Sequence, residues 1–98
     1  MTSEQKAHQA LTGLRILDFT QVLAGPFATQ QLAQIGAQVI KIEQPVTGDM
    51  TRGLMSASSD GMSPSFLTCN LGKRSLAIDL KHPKAKEVIF KLVSQADA

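Results

Sequence analysis

Apolar residues along this chain fall into short runs, and the period of each run names an element. From Leu14 to Phe19 the run is nearly continuous, with Leu14, Ile16, Leu17 and Phe19 broken only by Arg15 and Asp18. Strands covered on both faces read this way, because neither face meets water. Ala28, Leu32 and Ile35 then recur at i, i+4 and i+7, one apolar face of a helix that stops at Gly36. Ala24, Ala33 and Ala37 are small enough to let that helix lie close to a sheet. Pro26 suits the first helical position, where the N–H it lacks has no intrahelical partner anyway. Gln38 to Glu43 follows as a second strand, with Ile40 and Ile42 in phase and Pro45 as its stop. A strand, a glycine turn, a helix and a strand make a parallel βαβ unit, and in such units the loop after the first strand meets the ligand.

The second half is less regular. Val46 to Ser65 is rich in Gly, Ser, Thr and Met and reads as one long loop, with Phe66 and Leu67 opening a short apolar stretch after it. Ser75 to Leu80 alternates, with Leu76, Ile78 and Leu80 on one face, and reads as a third strand. Ala85, Val88, Ile89, Leu92 and Val93 give a last helix, with His82 as its N-cap and Pro83 as its first residue. The order is β-α-β-loop-β-α, an α/β chain with a partial parallel sheet whose next element would be another strand. Residues 1–10 carry no apolar period and read as a mobile leader, leaving residues 11–98 as the domain.

Composition narrows this picture. The chain has 98 residues, 43% hydrophobic but only 4% aromatic, with no Trp or Tyr, so the core of one small domain must be aliphatic. A net charge of +2, with bases not interleaved with aromatics, argues against a nucleic-acid surface. A single cysteine, Cys69, excludes an internal disulfide and a cysteine-rich metal site. No apolar run approaches the ~20 residues of a membrane span, and residues 1–10 lack the apolar centre of a signal peptide, so the expected compartment is the cytoplasm.

The candidate chemistry sits around Leu23–Gln30. The free N–H groups at the start of the first helix can receive a phosphate or a carbonyl oxygen. The segment has Gly25 but no Gly-x-Gly-x-x-Gly, so it is not a dinucleotide fingerprint, and a turn with no ligand is the plain alternative. Asp18 either caps the turn after its strand or has a functional role. Arg52 either pairs with Asp49 on the surface or binds an anionic group of a substrate. His8 and His82 read as solvated or structural. Cys69, with no histidine near it in sequence, reads as an inert thiol.

Several ordered motifs then add up to a resemblance. They are Leu14-Arg15-Ile16-Leu17-Asp18-Phe19, Ala24-Gly25-Pro26, Gly36-Ala37-Gln38-Val39-Ile40-Lys41-Ile42-Glu43, Gly48-Asp49-Met50-Thr51-Arg52, Asn70-Leu71-Gly72-Lys73-Arg74-Ser75 and Asp79-Leu80-Lys81. In this order the chain resembles the amino-terminal part of class III coenzyme A transferases, the family of formyl-CoA transferase, carnitine CoA-transferase and α-methylacyl-CoA racemase. The resemblance implies a Rossmann-like core within a larger domain, in a homodimer of interlocked chains. It implies acyl-CoA and a carboxylic acid as substrates and no permanently bound cofactor. Coenzyme A would move through anhydride and thioester intermediates on one aspartate that lies beyond position 98. By the same resemblance, the coenzyme contacts in this chain are Val22, Leu23 and Ala24 in the first loop and the stretch Ile78, Asp79, Leu80 and Lys81. None of Asp18, Asp49, Asp60 or Asp79 matches the nucleophile, so this chain alone is expected to be inactive.

Two positions depart from the pattern. Leu23 stands where formyl-CoA transferases carry a glutamine that assists chemistry, which argues against a formyl-CoA/oxalate specialist. Gln44 stands where those enzymes have an arginine, which puts one phosphate contact in doubt. The alternatives are a fragment of a racemase, whose acid/base pair would also lie downstream, and a coenzyme A- or nucleotide-binding module without chemistry. A third is an interaction piece that dimerises through an exposed sheet edge.

Overall fold

The computed structural model of the chain describes residues 9–53 and 62–98. Its elements are β1 (Arg15–Asp18), α1 (Ala24–Gln34), β2 (Gln38–Glu43), a 3-10 turn (Met50–Gly53), α2 (Pro64–Asn70), β3 (Arg74–Ala77) and α3 (Ala85–Ser94). The three strands form one parallel sheet in the order β1-β2-β3. Ile16 pairs with Val39, Asp18 with Lys41, and Glu43 with Ala77. The alternation of a strand therefore places Ile16, Asp18, Val39, Lys41 and Glu43 on one face and Leu17, Ile40 and Ile42 on the other.

The first face carries the core, where Ile16, Ala37 and Val39 pack with Leu11, Leu14, Leu32 and Ala33. The second face meets α3 across a groove lined by Leu17, Ile40, Leu92 and Ala96. Helices on both faces of a parallel sheet are the expected α/β, partial Rossmann-like arrangement. After α3 the chain returns to the free edge of β1. Ala98 N–H donates to Arg15 O at 3.2 Å, and Leu17 N–H donates to Ala98 O at 2.8 Å. Those two bonds bracket Ile16 as a rung of a parallel ladder does. The residues after α3 thus hydrogen-bond to the far side of β1, the edge at which a further parallel strand would add.

Several boundaries differ from the sequence reading. β1 ends at Asp18, and Phe19 is exposed. Pro26 is the third residue of α1, still among the first four N–H positions that lack an intrahelical acceptor. Ala24, Ala28 and Ile35 are exposed, and the buried residues of α1 are Pro26 and Gln30. The reason is that α1 lies against α2 as well as the sheet. Gln30 is buried because its amide terminates α2: Nε2 donates to Thr68 O at 2.6 Å and Oε1 accepts from Leu71 N–H at 2.7 Å.

The long loop is shorter than expected. It holds the 3-10 turn, and α2 starts inside it at Pro64, capped by Ser63, whose hydroxyl accepts from Phe66 N–H at 3.1 Å. Residues 54–61, with Asp60, lie outside the described residues. β3 is shorter than Ser75–Leu80, although Ile78 N–H still reaches Glu43 O at 2.8 Å. α3 begins at Ala85 with Lys84 as its cap, and His82 Nδ1 accepts Lys84 N–H at 3.1 Å within the preceding turn. Of the leader, residues 1–8 with His8 lie outside the described residues, while Gln9 O accepts Thr12 N–H at 3.2 Å in a turn. Among the described residues no helix is long and apolar enough to cross a membrane.

Gly36 closes α1 with φ +114, and an added Cβ would come within 2.9 Å of both Gln9 Cβ and Thr12 N. Gly36→Ala therefore combines a left-handed backbone with a clash against the chain that feeds β1. It is expected to cost about 1–3 kcal/mol, read as a lower urea midpoint with an unchanged slope.

Candidate functional site

In open parallel sheets, ligands meet the carboxyl ends of the strands. Here those ends carry three buried carboxylates, each joined to its own cation. Asp18, the last residue of β1, lies 2.9 Å from Lys73 Nζ. Lys41 of β2 lies 2.8 Å from Asp49, which follows the turn after that strand. Glu43, the last residue of β2, takes Arg52 from the 3-10 turn in a fork, Nε to Oε1 at 2.8 Å and Nη2 to Oε2 at 2.9 Å. Asp18, Lys41 and Asp49 are each 1% exposed, so these are interior pairs and not surface ones.

Hydrogen bonds complete the shell that buried charge requires. Asp18 accepts Thr20 N–H at 2.8 Å and Thr29 Oγ1 at 2.7 Å, and the Thr20 hydroxyl as well. Lys73 Nζ also donates to Pro26 O at 3.0 Å and to Asn70 Oδ1 at 2.8 Å, which ties the start of α1 to the end of α2. Asp49 Oδ1 accepts both Thr51 N–H and Thr51 Oγ1 at 2.8 Å and Val22 N–H at 3.2 Å. Glu43 accepts Asp49 N–H at 2.9 Å and the Ser75 hydroxyl. The Arg52 guanidinium also lies 3.7 Å from the centre of the Phe66 ring, a cation–π contact that roofs the pair. Gly48 makes room for this fork, since a Cβ there would sit 2.7 Å from Glu43 Oε1.

The electrostatics follow from the geometry. Burial pushes each carboxyl upward, but the hydrogen bonds and cations outweigh it. Asp18 is held below its ordinary value by Thr20, Lys73 and Thr29, and Asp49 by Lys41 and Thr51. Glu43 is lowered to about 2, with Arg52 the chief opponent of burial. Arg52 is raised, mainly by its bond to Glu43. Lys73 is lowered because desolvation of its ammonium exceeds the pull of Asp18. Asp18 with Lys73, Asp49 with Lys41 and Glu43 with Arg52 thus form one compensated polar layer beneath the loops.

The sequence reading finds part of this layer. Asp18 does cap the turn that follows it, through Thr20. Arg52 pairs with Glu43 and not with Asp49, because Asp49 is turned inward onto Lys41. Lys41 and Glu43 enter the sequence reading only as part of a strand motif, with no role of their own. Their alternation with Ile40 and Ile42 marks a polar strand face, and such a face is ordinarily solvated. The one local signal was their place at the carboxyl end of a strand that must be covered on both sides. Cys69 is a free, buried thiol.

The two proposed contact segments occupy neighbouring positions at the same end of the sheet. Val22, Leu23 and Ala24 follow β1, while Ile78, Asp79, Leu80 and Lys81 follow β3. One strand separates them, so the strands that carry them run roughly 10 Å apart. Leu23 is 60% exposed and borders a cavity of about 300 Å3 lined by Pro64, Ser65, Thr68 and Cys69. Ile78 and Asp79 line a separate hollow of about 270 Å3 with His82 and Val88. Asp79 Oδ1 accepts Lys81 N–H at 3.0 Å, which shapes the turn and leaves the Lys81 side chain exposed. The Val22 N–H is engaged by Asp49 and is not open to a phosphate.

Comparison with known proteins places this arrangement in a wider group. The model of CoA-transferase family III matches residues 11–98. A formyl-CoA:oxalate CoA-transferase of Afipia carboxidovorans is 49% identical over 89 residues, which are 91% of this chain and 21% of that protein. The protein of the same description from Bradyrhizobium diazoefficiens is also 49% identical, with the same coverage. Among solved structures, a CAIB/BAIF family protein from Brucella suis superposes with a TM-score of 0.82 at 36% identity, over 91% of this chain and 24% of that one. Rv3272 from Mycobacterium tuberculosis gives 0.80 at 40% identity, with the same coverage. The chain therefore spans about a fifth of the length of the curated relatives it matches.

Proposed function

The chain belongs to CoA-transferase family III, and on that premise we propose that it is the amino-terminal, coenzyme A-binding portion of an enzyme that moves coenzyme A between an acyl-CoA and a carboxylic acid. Val22, Leu23 and Ala24 grip the coenzyme through an apolar surface, and Lys81 meets a phosphate as a point charge. The observation that carries this reading is the state of the carboxylates. Asp18, Glu43 and Asp49 sit where a ligand would approach, yet each is buried and ion-paired. A carboxylate that must attack a thioester has to be free and beside it. These residues build the floor of a site, and the nucleophile comes from elsewhere in the enzyme. Leu23, with no hydrogen-bonding side chain, favours an acyl pair other than formyl-CoA and oxalate. The working form is a cytoplasmic homodimer, a reading supported by the exposed Phe27, Phe90 and Val93.

Calorimetry with coenzyme A tests this directly. The chain is expected to bind in the micromolar range and to show no transfer between acyl-CoA and carboxylate. Lys81→Glu, at an exposed position, is expected to weaken binding roughly tenfold or more without moving the thermal midpoint. Absence of binding at millimolar coenzyme, or transfer at an enzyme-like rate, would each overturn the proposal.

A further inference from the structure

Val22 has φ +72. A β-branched residue in the left-handed region is a genuine outlier, and it persists only where its surroundings over-determine it. The surroundings here can be named. Before it, Thr20 is tied twice: its N–H donates to Asp18 Oδ1 at 2.8 Å, and its carbonyl accepts Lys41 Nζ at 2.9 Å. The Val22 N–H donates to Asp49 Oδ1 at 3.2 Å. After it, Leu23 O accepts Phe27 N–H at 2.8 Å, the first turn of α1. Lys41 holds Thr20 with one bond and Asp49, at 2.8 Å, with its charge. Asp49 cannot swing away, because Thr51 bonds the same oxygen that meets Val22. Val46, the other such residue, sits fully exposed in the turn after β2 and has no such set of partners among the described contacts. The backbone reversal at Val22 leaves the next side chain, Leu23, standing at the rim of the cavity above α2.

We propose that Asp49 and Lys41 are positioning residues for coenzyme binding: they hold Val22 in its left-handed conformation and so fix Leu23 and Ala24 in the pose that grips the coenzyme. The proposal rests on the coenzyme reading of this loop. It assigns a task to two buried residues that touch no ligand, and it makes the strain at Val22 the link between the polar layer and the site.

A double-mutant cycle on the full chain tests it, with thermal midpoints from circular dichroism and coenzyme A titrations by calorimetry. Asp49→Asn is expected to weaken coenzyme A binding about tenfold, because the loop is no longer pre-organised. Glycine takes a positive φ without being held but also removes the Val22 side chain from the coenzyme surface, so the comparison is made within the Val22→Gly background, where adding Asp49→Asn is expected to weaken binding by no more than about threefold. The midpoint loss caused by Asp49→Asn is also expected to be smaller in the Val22→Gly background. Asp49→Asn binding as wild type does, or an Asp49→Asn loss of affinity as large in the Val22→Gly background as in the wild-type background, would overturn the proposal, since a carboxylate that acts by any route other than Val22 loses the same amount in both. If the wild-type chain binds no coenzyme A, the coenzyme reading fails separately. The hold on Val22 is then decided by the midpoints, where equal losses in the two backgrounds overturn it. Should Asp49→Asn not fold, Val22→Gly alone decides: a midpoint held or raised supports the strain, and a lowered one refutes it.

Discussion

Lys41→Met is expected to bring the chain to the edge of unfolding at room temperature. The side chain it replaces is 1% exposed and holds Asp49 Oδ2 at 2.8 Å. Methionine matches much of the volume but supplies no charge, and that oxygen has no other hydrogen-bond partner among the described residues. Removing one member of a buried pair strands the other in low dielectric, at about 3–5 kcal/mol. Methionine also abandons the carbonyl of Thr20, which Lys41 bonds at 2.9 Å. A domain of this length has roughly 5–15 kcal/mol of stability in all, so the loss takes from about a fifth of it to all of it. At about 4–8 °C per kcal/mol for small domains, the thermal midpoint should fall by on the order of 20 °C. A midpoint within a few degrees of wild type would show that Asp49 is solvated or paired by another cation.

The obvious repair should fail in an informative way. Replacing an isolated buried ion pair by two apolar residues is often neutral. Lys41→Met with Asp49→Leu would not be, because Asp49 also serves Thr51 N–H, Thr51 Oγ1 and Val22 N–H. The double variant should recover only part of the loss. The pair is one edge of a network that also shapes the loop, and the surplus cost measures the rest of it.

The sequence was readable where local rules decide. β2 was placed at its observed ends because alternation and Pro45 bound it on purely local grounds. The cap at Asp18 is a contact two residues long, and a short acid before a turn has few other uses. α3 was found from its apolar period, although its start was misplaced by the pull of His82-Pro83. What was not legible depends on contacts across the chain. Lys73 reaches Asp18 from 55 residues away, and nothing near either residue specifies the other. Arg52 had two acids in reach and took Glu43, a choice fixed by Asp49 turning toward Lys41. The face of α1 was misread because Gln30, a polar residue, is buried to end α2, and α2 itself was hidden by a Pro–Ser start and too few residues to show a period. The places of the two loops, after β1 and around the end of β3, are legible in the sequence. The layer that supports them had no signature in any short window.

Acid should dissolve that layer, and the direction follows from the carboxyls. Asp18, Glu43 and Asp49 are all held below their ordinary values in the folded chain. Between the two values the unfolded chain binds more protons than the folded one, so stability rises with pH across that interval. Their contribution is complete above the unfolded values near 4 and is lost as pH falls through the folded ones. Glu43 is the pair for which a size can be given. A fall from 4.5 to about 2 corresponds to about 3 kcal/mol, and its side chain is only 4% exposed, so solvent screening removes little of it. Asp18 and Asp49 add in the same direction. Urea midpoints should therefore be nearly flat from pH 7 to pH 5 and then fall steeply toward pH 2. Glu43→Gln separates the contributions. The amide can still accept from Arg52 and Asp49 N–H but no longer titrates. Its midpoint should be lower at pH 7, and the drop between pH 5 and pH 2 should be shallower than in wild type. Equal slopes in the two proteins would mean that Glu43 is not ionised in the folded state, and the fork with Arg52 would then lose its electrostatic basis.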